Sequence, residues 1–237
     1  MKKILTLLLG IILLTGCTKD DKANETNTDS GTSIKIGAQT WTTKNLDLVT
    51  YSDGTLIPEV QDAEAWSKLT TGAWCYHNSY SATGAIYGKL YNWYAVEGIW
   101  NEASKIDAEK RKKLAPTGWH IPSDTEWNTL VNYLDPKANG GDNSSNIAGG
   151  KMKEKGTNHW YSPNQDATDL IGFTGLPGGY RNFDGMFYDI GYYGFWWSSS
   201  VNEAPYAWFR TLDYNYGNVG RYSNFKTNGF SVRCIKD

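Results

Sequence analysis

The chain has 237 residues, and its 23 lysines and arginines against 25 aspartates and glutamates give a formal net charge of −2. This charge balance gives no indication of the basic surface that nucleic-acid binding requires, so we predict no nucleic-acid partner. Tryptophan (11), tyrosine (16) and glycine (25) are abundant, which predicts a loop-rich, β-containing fold with a largely aromatic core.

The first sixteen residues have the pattern of a secretory signal peptide. Two lysines precede an apolar run from Ile4 to Leu14, which has the length of a signal's hydrophobic region and is too short to span a bilayer. The Leu-Thr-Gly sequence before Cys17 resembles the bacterial lipobox. That resemblance implies cleavage before Cys17 and a lipid anchor in the membrane on this residue. The alternative is an ordinary secreted protein with an incidental cysteine.

The residues after Cys17 indicate display on the cell surface. Lys19-Asp20-Asp21 resembles the surface-export signal of Bacteroidota outer-membrane lipoproteins. The alternative is a solvated charged linker on a lipoprotein that stays on the periplasmic side. Residues 17–33 lack large apolar side chains and are predicted to form a disordered tether. Removing residues 1–16 takes away two lysines, so the mature chain has a net charge of −4.

The first half of the remaining chain predicts short strands and turns with helices between them. Residues 34–42 predict a strand, a turn and a second strand, and Asp53-Gly54 predicts another turn. Asp62–Leu69 is predicted to be a short helix. Ala85–Val96 is predicted to be a longer helix because its apolar residues recur at helical spacing.

The clearest predicted element is a helix that follows the short strand Trp119–Ile121. Ser123 and Glu126 have the spacing of a capping box. The apolar residues that follow recur at i, i+3, i+4 and i+7, which predicts one buried face. Asp135-Pro136 is expected to end this helix.

From Gly172 onward the pattern favours strands and hairpins. Asp184-Gly185 predicts a hairpin turn. The alternation over Tyr206–Tyr216 predicts that every second residue lies on one face of a strand. The last strand is expected to place three residues on a shared face: Phe230, Val232 and Cys234.

Two cysteines remain beside the predicted lipidation site. Cys75 and Cys234 are either a disulfide, which an exported protein can form, or two separate thiols.

Seven motifs, in order, carry a resemblance to a known family. They are Ile36–Trp41, Ala73–Tyr76, Tyr87–Ala95, Pro116–Asp124, Leu176–Arg181, Trp196–Ser199 and Gly229–Cys234. The set closely resembles the Fibrobacter succinogenes major paralogous domain over residues 34–237. Members of that family are typically secreted or surface lipoproteins of uncharacterised function. Many carry cysteine where this chain has Ala115, so the resemblance assigns no single partner to Cys234.

The order of the elements is more distantly similar to the C-type lectin-like fold, which the sulfatase-modifying, formylglycine-generating proteins share. This similarity implies an α+β fold with two main helices packed on an antiparallel, hairpin-rich, irregular sheet. The chain lacks the catalytic cysteine pair of the formylglycine-generating proteins near the C-terminus. It also lacks the Glu-Pro-Asn and Trp-Asn-Asp calcium motifs of sugar-binding lectins. Neither the oxidase activity nor calcium-dependent sugar binding is therefore implied.

The sequence has no clear catalytic or metal-binding motif, and we predict no catalytic residue, metal or cofactor. The three histidines, His77, His120 and His159, lack the spacing of a metal site. His120 is predicted to be a hydrogen-bonded core residue. The loop that contains Asp142 and Asn143 lacks the ordered pattern of a calcium loop, so a solvated loop is favoured. Two acidic pairs keep a polysaccharide-acting enzyme as an alternative: Asp166 with Asp169, and Asp184 with Asp189.

The tyrosine-rich hairpins favour a binding function. Large aromatic side chains are mostly buried, but tyrosine among glycine, serine and asparagine is typical of adaptable recognition loops. The candidate ligand-binding residues are Tyr192, Tyr193, Tyr206, Tyr214, Tyr216, Tyr222 and Arg181. We predict a surface-tethered, non-catalytic recognition domain that binds glycan or protein. The alternatives are a polysaccharide-acting enzyme and a purely structural component of the envelope.

Overall fold

The computed structural model describes residues 33–138 and 143–237, and gives only the backbone of residues 143 and 144. Its strands are β1 (Ser33–Ile36), β2 (Gln39–Thr42), β3 (Trp74–Cys75), β4 (Leu90–Asn92), β5 (Trp119–His120), β6 (Asn143–Ser145), β7 (Gly178–Arg181), β8 (Phe187–Ile190), β9 (Tyr193–Val201), β10 (Tyr206–Asp213), β11 (Val219–Phe225), β12 (Gly229–Phe230) and β13 (Ile235–Lys236). Its helices are α1 (Ala63–Ser67), α2 (Ser81–Tyr87), α3 (Trp93–Glu97), α4 (Glu102–Ile106), α5 (Asp124–Leu134) and α6 (Ala148–Met152), with two 3-10 helices, His77–Ser79 and Ala108–Lys110.

The strands form two sheets, and the protein is α+β as predicted. The smaller sheet has the order β1-β2-β13-β5. The larger sheet has the order β3-β4-β12-β7-β9-β10-β11-β6, and β8 pairs with β7 beside this path. Its pairs are antiparallel except for β7 with β9.

Several predictions concern residues that the structure does not describe. The predicted signal peptide (1–16), the lipid-bearing Cys17 and the tether up to residue 32 lie outside the described residues, as does Asp142. Ser33, the last residue assigned to the tether, is the first residue of β1. Within the described part of the chain, every helix is too short or too polar to cross a bilayer.

Helix α5 begins and ends as predicted. The Ser123 hydroxyl accepts a hydrogen bond from the Glu126 amide, and the Glu126 carboxylate accepts one from the Ser123 amide, which is the reciprocal capping box. Its buried face consists of Trp127, Leu130, Val131 and Leu134. The short helix α1 is also confirmed, with the Asp62 carboxylate as its N-cap.

The helix predicted over Ala85–Val96 is wrong. The segment contains the end of α2, strand β4 and then α3. Gly88 ends α2 with a φ of +74°, a conformation that side chains other than glycine rarely adopt. Asn92 then caps α3 by accepting a hydrogen bond from the Ala95 amide. The helical spacing that suggested one helix is divided between a strand and a five-residue helix, so α5 is the single long helix of the described chain.

The two faces of the sheet formed by β9, β10 and β11 bury different cores. Because successive side chains of a strand point to opposite faces, Trp196 packs with Trp127 of α5 in one core. Trp197 packs with Phe209 and Phe230 in the other core. The expected shared face of Phe230, Val232 and Cys234 is confirmed, since all three belong to this second core.

Strand β10 is shorter than the predicted alternation. It ends at Asp213, so Tyr214 and Tyr216 lie beyond the strand and the single face expected over Tyr206–Tyr216 stops at Leu212. A register shift between Ala207 and Phe209 also interrupts the pairing with β9. The hairpin predicted at Asp184-Gly185 is confirmed as the connection between β7 and β8.

The possible disulfide between Cys75 and Cys234 is not formed, and both residues are buried thiols. Cys75 lies in a small core with Trp66 and Leu90. Cys234 lies in the core that contains Ala115. The two cysteines belong to separate clusters, so the alternative of two thiols describes this chain.

Candidate functional site

A groove of about 300 Å³ opens on the face of the large sheet that also carries Trp197. We call it the aromatic groove, and its lining residues are Tyr193, Phe195, Phe209, Thr211, Asp213, Asn218, Gly220 and Tyr222. Thr211 stands at its centre, paired with Phe195 of β9 on one side and with Gly220 of β11 on the other. The sheet thus presents two aromatic walls with polar groups between them.

The floor of the aromatic groove depends on Gly220. A Cβ atom at this position would lie 2.5 Å from a Thr211 methyl carbon and 2.5 Å from a Tyr222 ring carbon. Real Cβ atoms do not approach other heavy atoms this closely, so a larger residue would displace the Tyr222 ring. Glycine therefore leaves the space between Thr211 and Tyr222 that forms the groove.

The polar end of the groove is built by the cross-strand pair of Tyr193 and Asp213. Burial, the charge of Asp213 and a hydrogen bond to its carboxylate raise the pKa of Tyr193 to about 12, so this phenol stays protonated. Burial and the nearby charge of Asp213 also raise the pKa of Asp189. The groove therefore places the side-chain oxygens of Asp213 beside aromatic rings.

Aromatic rings continue from the groove across β7 and β8. Tyr180 lies 4.8 Å from Phe195 between ring centroids, and Tyr188 lies 5.6 Å from Tyr180. Tyr188 is exposed and Tyr180 is half-buried. Sequence reasoning missed these rings as well as Phe195 and Asp213. The signal for the first two was present, because the predicted Asp184-Gly185 turn places residues 180 and 188 opposite each other on one face.

The structure brings only two of the six predicted tyrosines, Tyr193 and Tyr222, into the groove. Tyr192 and Tyr214 instead form a cluster with Tyr161. The ring centroid of Tyr192 lies 4.5 Å from that of Tyr161 and 5.1 Å from that of Tyr214. Tyr206 packs on Phe225, 4.9 Å away. Tyr216 is exposed, and its backbone carbonyl accepts a hydrogen bond from buried Lys153.

Arg181 does not reach a ligand site, which corrects its assignment as a ligand-binding residue. Its side chain is fully buried, and its guanidinium donates to the carbonyls of Val60, Gln61 and Gly185. The guanidinium also stacks over Trp66 at 4.4 Å. Arg181 thus closes the β7–β8 hairpin onto the segment before α1.

Three of the four aspartates of the enzyme alternative accept hydrogen bonds from residues close by in the chain, and the fourth is Asp189. Asp169 accepts hydrogen bonds from the amide and hydroxyl of Thr174, and Asp184 accepts from the Met186 amide in the hairpin turn. Asp166 accepts a hydrogen bond from the side-chain amide of the neighbouring Gln165. Asp189, at the other end of β8 from the Asp184 turn, is the one whose charge acts on the groove tyrosine.

Among the residues that the structure describes, no group of three histidine, cysteine, aspartate or glutamate side chains has the arrangement of a metal site. The prediction for His120 is half right. Its Nε2 is hydrogen-bonded to the Glu126 carboxylate at 2.9 Å, and its Nδ1 is hydrogen-bonded to the Asp237 carboxylate at 2.7 Å. Its side chain is 41% exposed, however, so it links α5 to the C-terminal segment at the surface and does not lie in the core.

The comparison with known proteins identifies one family. The sequence model described as the Fibrobacter succinogenes major domain matches residues 34–236. No curated protein and no solved structure matches the chain.

Proposed function

The chain belongs to the Fibrobacter succinogenes major domain family, and from this premise we propose that it is a lipid-anchored, surface-displayed recognition protein whose aromatic groove binds glycan. The proposal includes no catalytic step. The observation that carries it is the groove itself, in which exposed and half-buried rings flank Asp213, Thr211 and Asn218.

This combination of groups suits a carbohydrate. Aromatic rings offer flat apolar faces for the C–H surface of a sugar ring, and the carboxylate, hydroxyl and amide groups between them can exchange hydrogen bonds with sugar hydroxyls. The groove volume of about 300 Å³ lies at the lower end of the range of volumes of small-ligand pockets. We expect it to take one sugar unit of a longer chain.

We also propose a C-type lectin-like fold for residues 34–237. The support is the element order: a short strand, β5, enters the capped helix α5, and aromatic hairpins and a terminal strand, β13, follow. Strand β13 pairs with β2 near the start of the described chain and with β5. These pairings hold the two ends of the domain in one small sheet.

The glycan proposal predicts that the exposed groove wall carries binding energy. Tyr222→Ala, tested with the full chain on a glycan array and then by calorimetry with the best glycan, should weaken binding about tenfold, or about 1.4 kcal/mol. Tyr222 is 39% exposed, so the fold should survive this change. Tyr193→Ala should act in the same direction.

Tyr80→Ala is the matched control, because Tyr80 is 66% exposed at the start of α2, outside the groove lining. Equal affinities of the Tyr222 and Tyr80 variants would contradict the groove as the binding site. An array without any bound glycan would favour the structural envelope component, and cleaved glycan would favour the enzyme alternative.

The anchor proposal predicts a change of cell fraction. Cys17→Ser removes the thiol that would carry the lipid, so the chain should move from the membrane fraction to the soluble fraction. Immunoblotting of fractionated cells measures this, with Thr18→Ser as the control. Replacing Lys19, Asp20 and Asp21 by alanine should leave the chain in the membrane but protect it from protease added to intact cells. A Cys17→Ser chain that stays in the membrane fraction would contradict lipidation.

A further inference from the structure

A second cavity, of about 430 Å³, lies apart from the aromatic groove. It is lined by the segment that follows β2, by the C-terminal part of α2, and by Thr174, Leu176 and Arg233. The aromatic groove and this cavity share no lining residue. We call it the Arg233 cavity.

Arg233 is a buried cation held by neutral groups. Its side chain is 1% exposed, and its guanidinium carbon lies 4.5 Å from the ring centroid of Phe173. Nε donates to the Asn45 side chain, Nη1 to the carbonyls of Thr42 and Phe173, and Nη2 to the carbonyl of Thr174. Guanidinium has five N–H donors, so these four hydrogen bonds leave one donor on Nη2.

No carboxylate within residues 33–138 and 143–237 forms an ion pair with this guanidinium. The charge of Asp169 acts on it from a distance, but both Asp169 oxygens accept hydrogen bonds from Thr174. Burial lowers the pKa of Arg233 to about 9, so it is a cation at neutral pH. A buried charge is costly unless an opposite charge or further hydrogen bonds compensate it.

The rest of the lining adds a second cation. Lys44 is exposed and lines the cavity, and no carboxylate pairs with it in the described part of the chain. The carboxylate of Asp47 also lines the cavity, but it already pairs with the ammonium of Lys89, which is 2% exposed. The cavity therefore presents two cations, Arg233 and Lys44, that form no ion pair within the described residues.

We propose that the Arg233 cavity binds a carboxylate-bearing ligand of about monosaccharide size, such as a uronic acid. One carboxylate oxygen accepts the remaining Nη2 hydrogen of Arg233, and the other accepts from the ammonium of Lys44. Ile86 and Leu176 supply an apolar wall for the body of the ligand. The volume lies within the range of small-molecule sites.

Calorimetry with the full chain in detergent tests the proposal. The probes are galacturonate and galactose, which differ in the carboxylate, together with sulfate. The titrations use the Tyr222→Ala background, in which sugar binding in the aromatic groove is weakened about tenfold. Lys44 does not line that groove, so the Lys44 variants below distinguish failure of one site from failure of the other. Galacturonate should bind at least tenfold more tightly than galactose.

Lys44→Ala should weaken galacturonate binding about tenfold, and the charge reversal Lys44→Glu should abolish it. Both changes concern an exposed side chain, so the fold should persist, whereas Arg233→Ala removes a buried residue and is a poorer test. Lys155→Ala is the control, since Lys155 is also exposed but lies outside the cavity lining. Equal binding of galactose, unchanged affinity in Lys44→Ala, or binding of sulfate without galacturonate would each overturn the proposal.

Discussion

Asp124→Asn should lower the free energy of unfolding by about 3 kcal/mol, because it leaves a buried arginine without its counter-charge. Arg210 is 1% exposed, and its Nη1 lies 2.8 Å from the Asp124 carboxylate. The same carboxylate accepts hydrogen bonds from Arg221, whose guanidinium stacks 3.7 Å over Trp208. The substitution keeps the side-chain size and removes one charge that holds two cations at the start of α5.

Urea denaturation of the purified chain measures this loss, with Glu203→Gln as the control. Glu203 is exposed, so the same change from carboxylate to amide should alter stability by less than about 0.5 kcal/mol there. Adding Arg210→Met to Asp124→Asn should recover part of the loss, since a buried pair can be replaced by apolar packing. A loss below about 1 kcal/mol in Asp124→Asn would contradict the role of this pair.

The Asp124 pair also predicts an acid dependence of stability. Burial alone would raise the pKa of Asp124, but the hydrogen bonds and charges of Arg221 and Arg210 outweigh burial and lower it below the ordinary 3.8. A carboxyl with a lowered pKa contributes stability that is complete above about pH 4 and is lost as the pH falls through its folded-state pKa. The unfolding free energy of the Asp124→Asn chain should therefore fall less steeply below pH 4 than that of the wild type.

Trp197→Ala should lower the free energy of unfolding by about 3–5 kcal/mol. The Trp197 side chain is completely buried, its ring lies 4.2 Å from that of Phe230, and its indole N–H donates to the Tyr91 carbonyl at 2.9 Å. Alanine would leave a cavity in the second core and remove the indole hydrogen bond to the Tyr91 carbonyl. Chemical denaturation measures the loss.

Trp100→Ala provides the comparison for this prediction. Trp100 is 40% exposed, although its indole also donates to a carbonyl, that of Lys110. Trp100→Ala should lower the free energy of unfolding clearly less than Trp197→Ala, because folding buries less of the apolar surface of Trp100. If both variants lost the same stability, burial in the sheet core would not be the cause.

Local patterns predicted the elements whose signals lie close together in the chain. The capping box and apolar stripe of α5, the short helix α1 and the Asp184-Gly185 hairpin each depend on residues a few positions apart, and each is confirmed. The prediction of one helix over Ala85–Val96 is wrong because Gly88 ends α2 and Asn92 starts α3 within it. The apolar spacing of the segment suits one continuous helix as well as the observed strand and helix. Periodicity alone does not separate these cases.

The candidate site could be predicted only in part. Tyrosine-rich hairpins indicated a binding surface, and two of the named tyrosines, Tyr193 and Tyr222, line the aromatic groove. Phe195 and Asp213 join them through the pairing of β9 with β10, which local patterns do not specify. Arg181 has the residue type of a ligand-binding group, but two of its three carbonyl partners, Val60 and Gln61, lie 121 and 120 positions away in the chain.

By itself the sequence determined the family, whose model matches residues 34–236, and the elements that cap or turn locally. The lipoprotein signal at Cys17 stays a prediction. Only the tertiary structure decided which aromatic rings are core and which line a groove, and it placed the buried Arg233 in the lining of a cavity. The physical reason is that burial and hydrogen-bond partners depend on residues far apart in the chain. Arg233 shows this most clearly, since its partners Thr42 and Asn45 lie 191 and 188 positions away.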